Sequence, residues 1–372
     1  MSDEKTIVYT FLENPLYRAA ATVVIYASLK KVIGKSLKLK KQNDGYRQIA
    51  VLPEELRMRE KLSSYKVTKV GIKKEASICL STFIEEMRKN PRADMANFCK
   101  LCEAYSISNM KPKKIGGSTW YGMYMAGNNQ IFVDEHDVRK NIFHELMHRL
   151  VTRVFDNYIY TGFKQVKLGV KKGLHYTIFC IGDGINEAYT QMLTERYFTD
   201  YGCGQSYVIL TDLAYFTESI VGAKKMEKFY FDSDLYSLVN ELAKYSSKEE
   251  AIEFIRTFDV LFDRYYNRGT HISLMLAKRT YKKLLKMLFA MEIEKIKKEI
   301  KEGARVEDVI NREQFIVECI LTSRKRVRLR QIQFEYGLDE TDLYELGDVI
   351  RRELEGYGIT WKFDEAFYEY KT

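Results

Sequence analysis

Residues 144–148 read His-Glu-Leu-Met-His, inside a stretch whose apolar residues Ile142, Leu146, Leu150, Val151 and Val154 recur at helical spacing. No other feature limits the chain's folding so tightly. On a helix, positions i and i+4 stand one above the other on one face, so both imidazoles can point at a single ion. Glu145 lies beside them, turned too far to ligate yet close enough to take a proton from a water at that ion. The spacing predicts a helix over 138–155 with His144 and His148 as metal ligands and Glu145 as general base. Two histidines on an ordinary amphipathic helix would read similarly, but here uncharged Phe143, Leu146 and Met147 surround them.

A two-histidine site needs a third protein ligand and an open fourth position. The best supplier is Gly184-Ile185-Asn186-Glu187-Ala188-Tyr189-Thr190, where the next strong helical pattern begins near Ile185. Together with His144-Glu145-x-x-His148, this Asn-Glu-Ala segment resembles the gluzincin metallopeptidases, the thermolysin-like enzymes. The resemblance implies a zincin-like core, Zn2+ as cofactor, hydrolysis of peptide bonds, Glu187 as third ligand and Asn186 in support behind it. That family usually carries an aspartate four residues after its glutamate ligand, where this chain has Gln191. Arg149 stands where stricter forms of the pattern have an uncharged residue. The separation of Glu187 from His148 leaves room for an inserted hairpin around 163–180.

Asn267-Arg268-Gly269-Thr270-His271-Ile272-Ser273, ahead of a long helical pattern, is similar to the segment by which the family brings a histidine to the tetrahedral intermediate. The likeness implies that His271 donates a hydrogen bond to the developing oxyanion. His175 and Tyr176 compete for that role, and His136 lies too far along the approach to the helix to join the ligands.

Around the motif the pattern suggests an α+β protein of three regions: a mixed α/β region over 1–115, a zincin-like catalytic core over 116–222 and a helical region over 223–372. The first holds a helix over 14–34, with Asn14 as cap, Pro15 in the first turn and Gly34 at the end. Strands are expected at 46–52 and 66–72, and helices from Pro53, over 76–88 and over 93–104. In the core, 119–125 and 130–134 read as strands joined by Ala126-Gly127-Asn128-Asn129. The strand at 129–133 is expected at a sheet edge, where it either receives an extended peptide or is simply an edge.

The chain has 372 residues and a formal charge of +9, from 60 basic against 51 acidic side chains. So small an excess does not demand nucleic acid, although Lys30 to Lys41 and Arg324 to Arg330 are basic enough to reach it. The cysteines are scattered, and Cys99-Lys-Leu-Cys102 lacks the second pair that a metal knuckle needs. The first residues lack the layout of a signal peptide, and the apolar run 19–29 is far short of the ~20 residues that cross a bilayer. The reading is a cytoplasmic peptidase of narrow specificity, acting on a peptide or protein. A non-cleaving binding protein on the same fold, or a peptidase recruited to nucleic acid, are the alternatives.

Overall fold

The chain divides into Met1–Gln42 and Asn43–Thr372. The computed structural model describes residues 74–98 and 106–305, with short breaks at 111–112, 116–117, 127–129, 135, 156–157, 172–173, 205 and 269–270, all within the second unit. The elements expected at 14–34, 46–52, from Pro53 and at 66–72, the Cys99–Cys102 pair and the basic runs 30–41 and 324–330 lie outside the described residues.

Helix α1 (Lys74–Lys89) precedes five short strands, β1 (Ser106–Met110), β2 (Lys113–Ile115), β3 (Ser118–Trp120), β4 (Gly122–Met125) and β5 (Gln130–Asp134). Helix α2 (Val138–Leu150) then leads into β6 (Thr152–Phe155), β7 (Tyr158–Thr161), β8 (Lys164–Lys171) and β9 (Leu174–Ile181). The remainder is helical: α3 (Asp183–Phe198), α4 (Val208–Val221), α5 (Ala223–Phe231), α6 (Leu235–Leu242), α7 (Lys248–Phe262) and α8 (His271–Lys301).

Strands β1, β5 and β4 form one sheet in that order, with β1 parallel and β4 antiparallel to β5. The strand expected at an edge is therefore the central one. Its second neighbour, Ser106-Ile107-Ser108-Asn109-Met110, is too short and too polar to announce itself as a strand. Its pairing with β5 also carries the sheet across the boundary expected at 115/116. Strands β6 to β9 make a separate antiparallel meander, which includes the hairpin foreseen between the two motif helices.

Helix α2 ends at Leu150, earlier than its apolar spacing suggests. Val151-Thr152-Arg153-Val154-Phe155 is rich in β-branched and aromatic residues, and 152–155 pairs with β7 instead. Side chains just past the helix satisfy its last carbonyls: the Thr152 hydroxyl donates to His148 O (2.8 Å) and Arg153 to Leu150 O (3.1 Å).

Every residue from Ile142 to Leu150 is buried, so this half of α2 has no solvent face. It packs on β4 and β5, α1 and α3. Phe83 of α1, Phe198 of α3 and Phe143 of α2 stack in sequence, with ring centroids 5.3 and 4.6 Å apart. Removing one such ring from a core costs about 3–5 kcal/mol. Helix α3 in turn is covered by α4 and α7. Among the described residues, no helix is long and apolar enough to cross a membrane.

Candidate metal centre

Burial of both motif helices brings His144, His148 and Glu187 together. One ligand atom from each lies within 4.8 Å of the others, and no other such group exists among the described residues. His144 Nε2 is 2.9 Å from His148 Nε2, while the Glu187 carboxylate oxygens stand 3.2 Å from the first and 3.3 Å from the second. This buried cluster could hold a metal ion.

The opposite ring nitrogens are held as well. His144 Nδ1 lies 3.0 Å from Gln191 Oε1, and His148 Nδ1 lies 3.4 Å from Thr190 Oγ1 and 3.3 Å from the Asn186 amide nitrogen. Asn186 is oriented by its oxygen, which accepts the Phe163 N–H at 3.1 Å from the β7–β8 turn. Its amide nitrogen can therefore only donate toward His148 Nδ1, and Thr190 Oγ1 is the one of the two that can accept from it. Thr190 is itself 2.7 Å from the Tyr230 hydroxyl. The Gln191 oxygen thus steers His144 to keep its hydrogen on Nδ1 and leave Nε2 for a ligand role, while His148 Nδ1 is shared between an amide that donates and a hydroxyl that can donate or accept.

The electrostatics couple the three groups to one another and to Glu145. Burial works to raise the Glu187 carboxyl, but the charges and hydrogen bonds of His148 and His144 hold it well below the usual range. Burial works to lower His144, yet its bond to Glu187 and the charges of Glu145 and Glu187 raise it. Glu145 is raised, chiefly by burial.

Glu145 sits against β4. Its carboxylate takes a hydrogen bond from the Tyr124 backbone N–H, and a Cβ on Gly122 would lie 2.9 Å from its Oε1. A side chain at Gly122 would push against that carboxylate and Asn141 Cβ, so glycine leaves Glu145 its place against the strand. Because Tyr121 O accepts the Asp134 N–H at 2.8 Å, the alternation of the ladder turns the main-chain groups of Gly122 and Tyr124 away from β5. No described strand pairs with that outer edge.

The start of α3 is fixed from α7. Gly182, the N-cap at φ 81°, and Gly184 donate their N–H groups to the two oxygens of Asp259, at 2.8 and 2.9 Å. A Cβ on Gly182 would run into Phe163 O, so a side chain there is barred twice over.

Of the residues singled out in the sequence, the structure gathers His144, Glu145, His148, Asn186, Glu187 and Gln191. His136 is exposed and apart from them, with its N–H on Asp134 Oδ1 at 3.2 Å. His271 opens α8, and His175 and Tyr176 lie on β9, but their side chains lie outside the described part. Sequence reasoning missed Tyr207, whose ring is 5.6 Å from that of His144 and whose φ is 55°, unusual for a tyrosine. It also missed Gly122, Thr190, Glu195 and Asp259. Thr190 and Glu195 follow Glu187 at i+3 and i+8 on one helix, but the sequence does not say which face of that helix meets α2; Gly122 and Asp259 carry no local signal. No family model matches the chain, and neither a curated protein nor a solved structure does.

Proposed function

We propose that the chain is a zinc-dependent peptidase of gluzincin type, with His144 and His148 binding through Nε2 and Glu187 completing the ligand set. The observation that carries this reading is the convergence of two imidazoles and a carboxylate beside a second carboxylate, Glu145, that lies outside the ligand group. Two nitrogens at ~2.0–2.1 Å from a tetrahedral zinc stand about 3.3 Å apart. The ring nitrogens here are 2.9 Å apart and the carboxylate contacts are 3.2 and 3.3 Å, so only a small separation of the rings is required. Nitrogen with oxygen ligands in this number suits zinc, and the His144 Nδ1 hydrogen has a fixed acceptor in Gln191 Oε1.

Held by His144, His148 and Glu187, zinc would supply Lewis-acid charge to a water and to a substrate carbonyl. Glu145 takes the proton from the water and later passes it to the leaving amine, a task favoured by its raised carboxyl pKa. The Tyr124 N–H and the close approach of Gly122 fix where that carboxylate sits. The outer edge of β4 offers main-chain groups to an extended peptide, the role the sequence suggested for β5. His271, at the opening of α8, is the candidate to steady the oxyanion.

The test is metal content and peptide hydrolysis of the purified chain beside Glu187→Ala and Glu145→Gln. About one zinc per chain is expected in the wild type and in Glu145→Gln, and far less in Glu187→Ala. Hydrolysis of a peptide library should fall by about 10²–10⁴ in Glu145→Gln. Zinc without any hydrolysis would make the chain a binding protein; no zinc after supplementation would remove the reading altogether.

A further inference from the structure

Gln191 holds a place where a neutral amide, not a carboxylate, meets a ligand histidine. Its Oε1 is 3.0 Å from His144 Nδ1, and its Nε2 is 2.8 Å from both Glu195 Oε1 and Gly204 O. Those last two oxygens decide which way the amide points. Turned over, the Gln191 oxygen would face a carboxylate and a carbonyl, neither of which has a hydrogen to give. The amide is therefore locked with both hydrogens toward Glu195 and Gly204 and its oxygen toward His144. Gln191 Oε1 must accept, His144 Nδ1 must carry the hydrogen, and His144 Nε2 keeps its lone pair for an ion.

An amide oxygen is a weaker acceptor than a carboxylate oxygen. Glu195 offsets part of that difference, because an anion at the NH2 end of an amide pushes electron density toward its oxygen. Glu187, Gln191 and Glu195 lie four residues apart on α3, so ligand, amide and remote carboxylate form one stripe along the helix.

The third partner of the amide is fixed separately. Gly204 N–H donates to Lys140 O (2.9 Å) on α2, four residues before His144, and a Cβ on Gly204 would meet Lys140 Cβ and O at 3.0 Å. Gln191 is thereby referenced to both helices that supply the ligands.

We propose that Glu195, acting through Gln191, is the positioning carboxylate of this metal centre: it fixes the tautomer and orientation of His144 and strengthens that ring as a ligand. The proposal rests on the metal-site reading above and deepens it.

The experiment is a Zn2+ titration of the full chain against a competing chromophoric chelator, for wild type, Gln191→Ala, Glu195→Ala and Glu195→Gln. In parallel, the Nδ1–H resonances are recorded on 15N-histidine-labelled, Zn-loaded protein; the chain has 5 histidines, so the spectrum is simple. Loss of a hydrogen bond behind a ligand weakens metal binding about 10- to 100-fold. Gln191→Ala should fall within that range and Glu195→Ala near its lower end. Glu195→Gln, which keeps an acceptor oxygen but no charge, should lie between Glu195→Ala and wild type. The His144 Nδ1–H signal should shift in both Glu195 variants.

A Zn2+ affinity for Glu195→Ala within twofold of wild type would overturn the proposal. So would a weakened Glu195→Ala whose His144 Nδ1–H signal is unmoved, since a merely structural contact would do that. Wild-type protein that takes up no Zn2+ would instead remove the metal reading itself, a result visible before any variant is compared.

Discussion

His144 and Glu187 stabilise opposite charges in each other. With Glu187 held well below the usual carboxylate range and His144 raised, the apo centre favours a proton on His144, where an ion would otherwise bind. The sign of the pH dependence follows. A raised imidazole contributes stability to the apo fold that is complete below its unfolded pKa and is lost as pH climbs through the folded value. Metal must displace the same proton, so metal affinity rises with pH and levels off once His144 is neutral. Calorimetric titration with Zn2+ in buffers of different ionisation enthalpy should show about one proton released per ion at pH 6 and less at pH 9. Uptake independent of pH across that range would contradict the pairing. At this scale the sequence was informative where chemistry is local: His144, Glu145 and His148 are fixed by helix geometry, and Glu187 by its Asn-Glu-Ala setting. The acceptors behind the rings were only half legible. Gln191 stood out as a substituted position, but Thr190 and Glu195 gained meaning only from which face of α3 meets α2.

The element that must be placed most carefully is α3, because Glu187 lies in its second turn. Asp259 fastens its first turn through two backbone hydrogen bonds, and α7 holds Asp259 in place, itself opened by a capping box in which Ser247 and Glu250 exchange hydrogen bonds. Burial raises the Asp259 carboxyl to about 7, against the pull of the Gly184 and Gly182 N–H groups. For a carboxyl raised in the fold, the folded chain binds the extra proton between the unfolded and folded pKa values. Its contribution to stability is therefore present below about pH 4, declines up to about pH 7 and is gone above that. Denaturant titration of apo protein should show stability falling with pH across this window, and Asp259→Asn should flatten the slope. Asp259→Ala leaves two buried donors without that acceptor and should cost about 2 kcal/mol. A slope identical in wild type and Asp259→Asn would exclude Asp259 as its source. None of this could be read from the sequence, where Asp259 is one acidic residue in an amphipathic helix. The end of α2 was misread for a related reason: Val151 and Val154 fit a helical stripe as well as a strand, and pairing of β6 with β7 decided between them.

Among the described residues, the two helices that carry His144, His148 and Glu187 are packed on several sides. Helix α2 is buried between the β1–β5–β4 sheet and α3, and α3 is covered by α4 and α7. The sequence revealed the helices because their periodicity is strong, but not the sheet order, which depends on a five-residue strand recruited from before the core. A metal ion bound by His144, His148 and Glu187 ties these two central helices together, and whatever binds only the folded chain stabilises it by mass action. At a free concentration 100 times Kd this amounts to about 2.7 kcal/mol. In a domain of this size each kcal/mol raises Tm by about 2–4 °C. Zn2+ should therefore raise the melting temperature by roughly 5–10 °C. The shift should vanish in Glu187→Ala and persist in Glu145→Gln, because Glu145 stands beside the ligands without joining them. Equal shifts in wild type and Glu187→Ala would mean that the stabilising ion sits elsewhere. A shift lost in Glu145→Gln as well would mean that this carboxylate binds the ion and cannot serve as a free base.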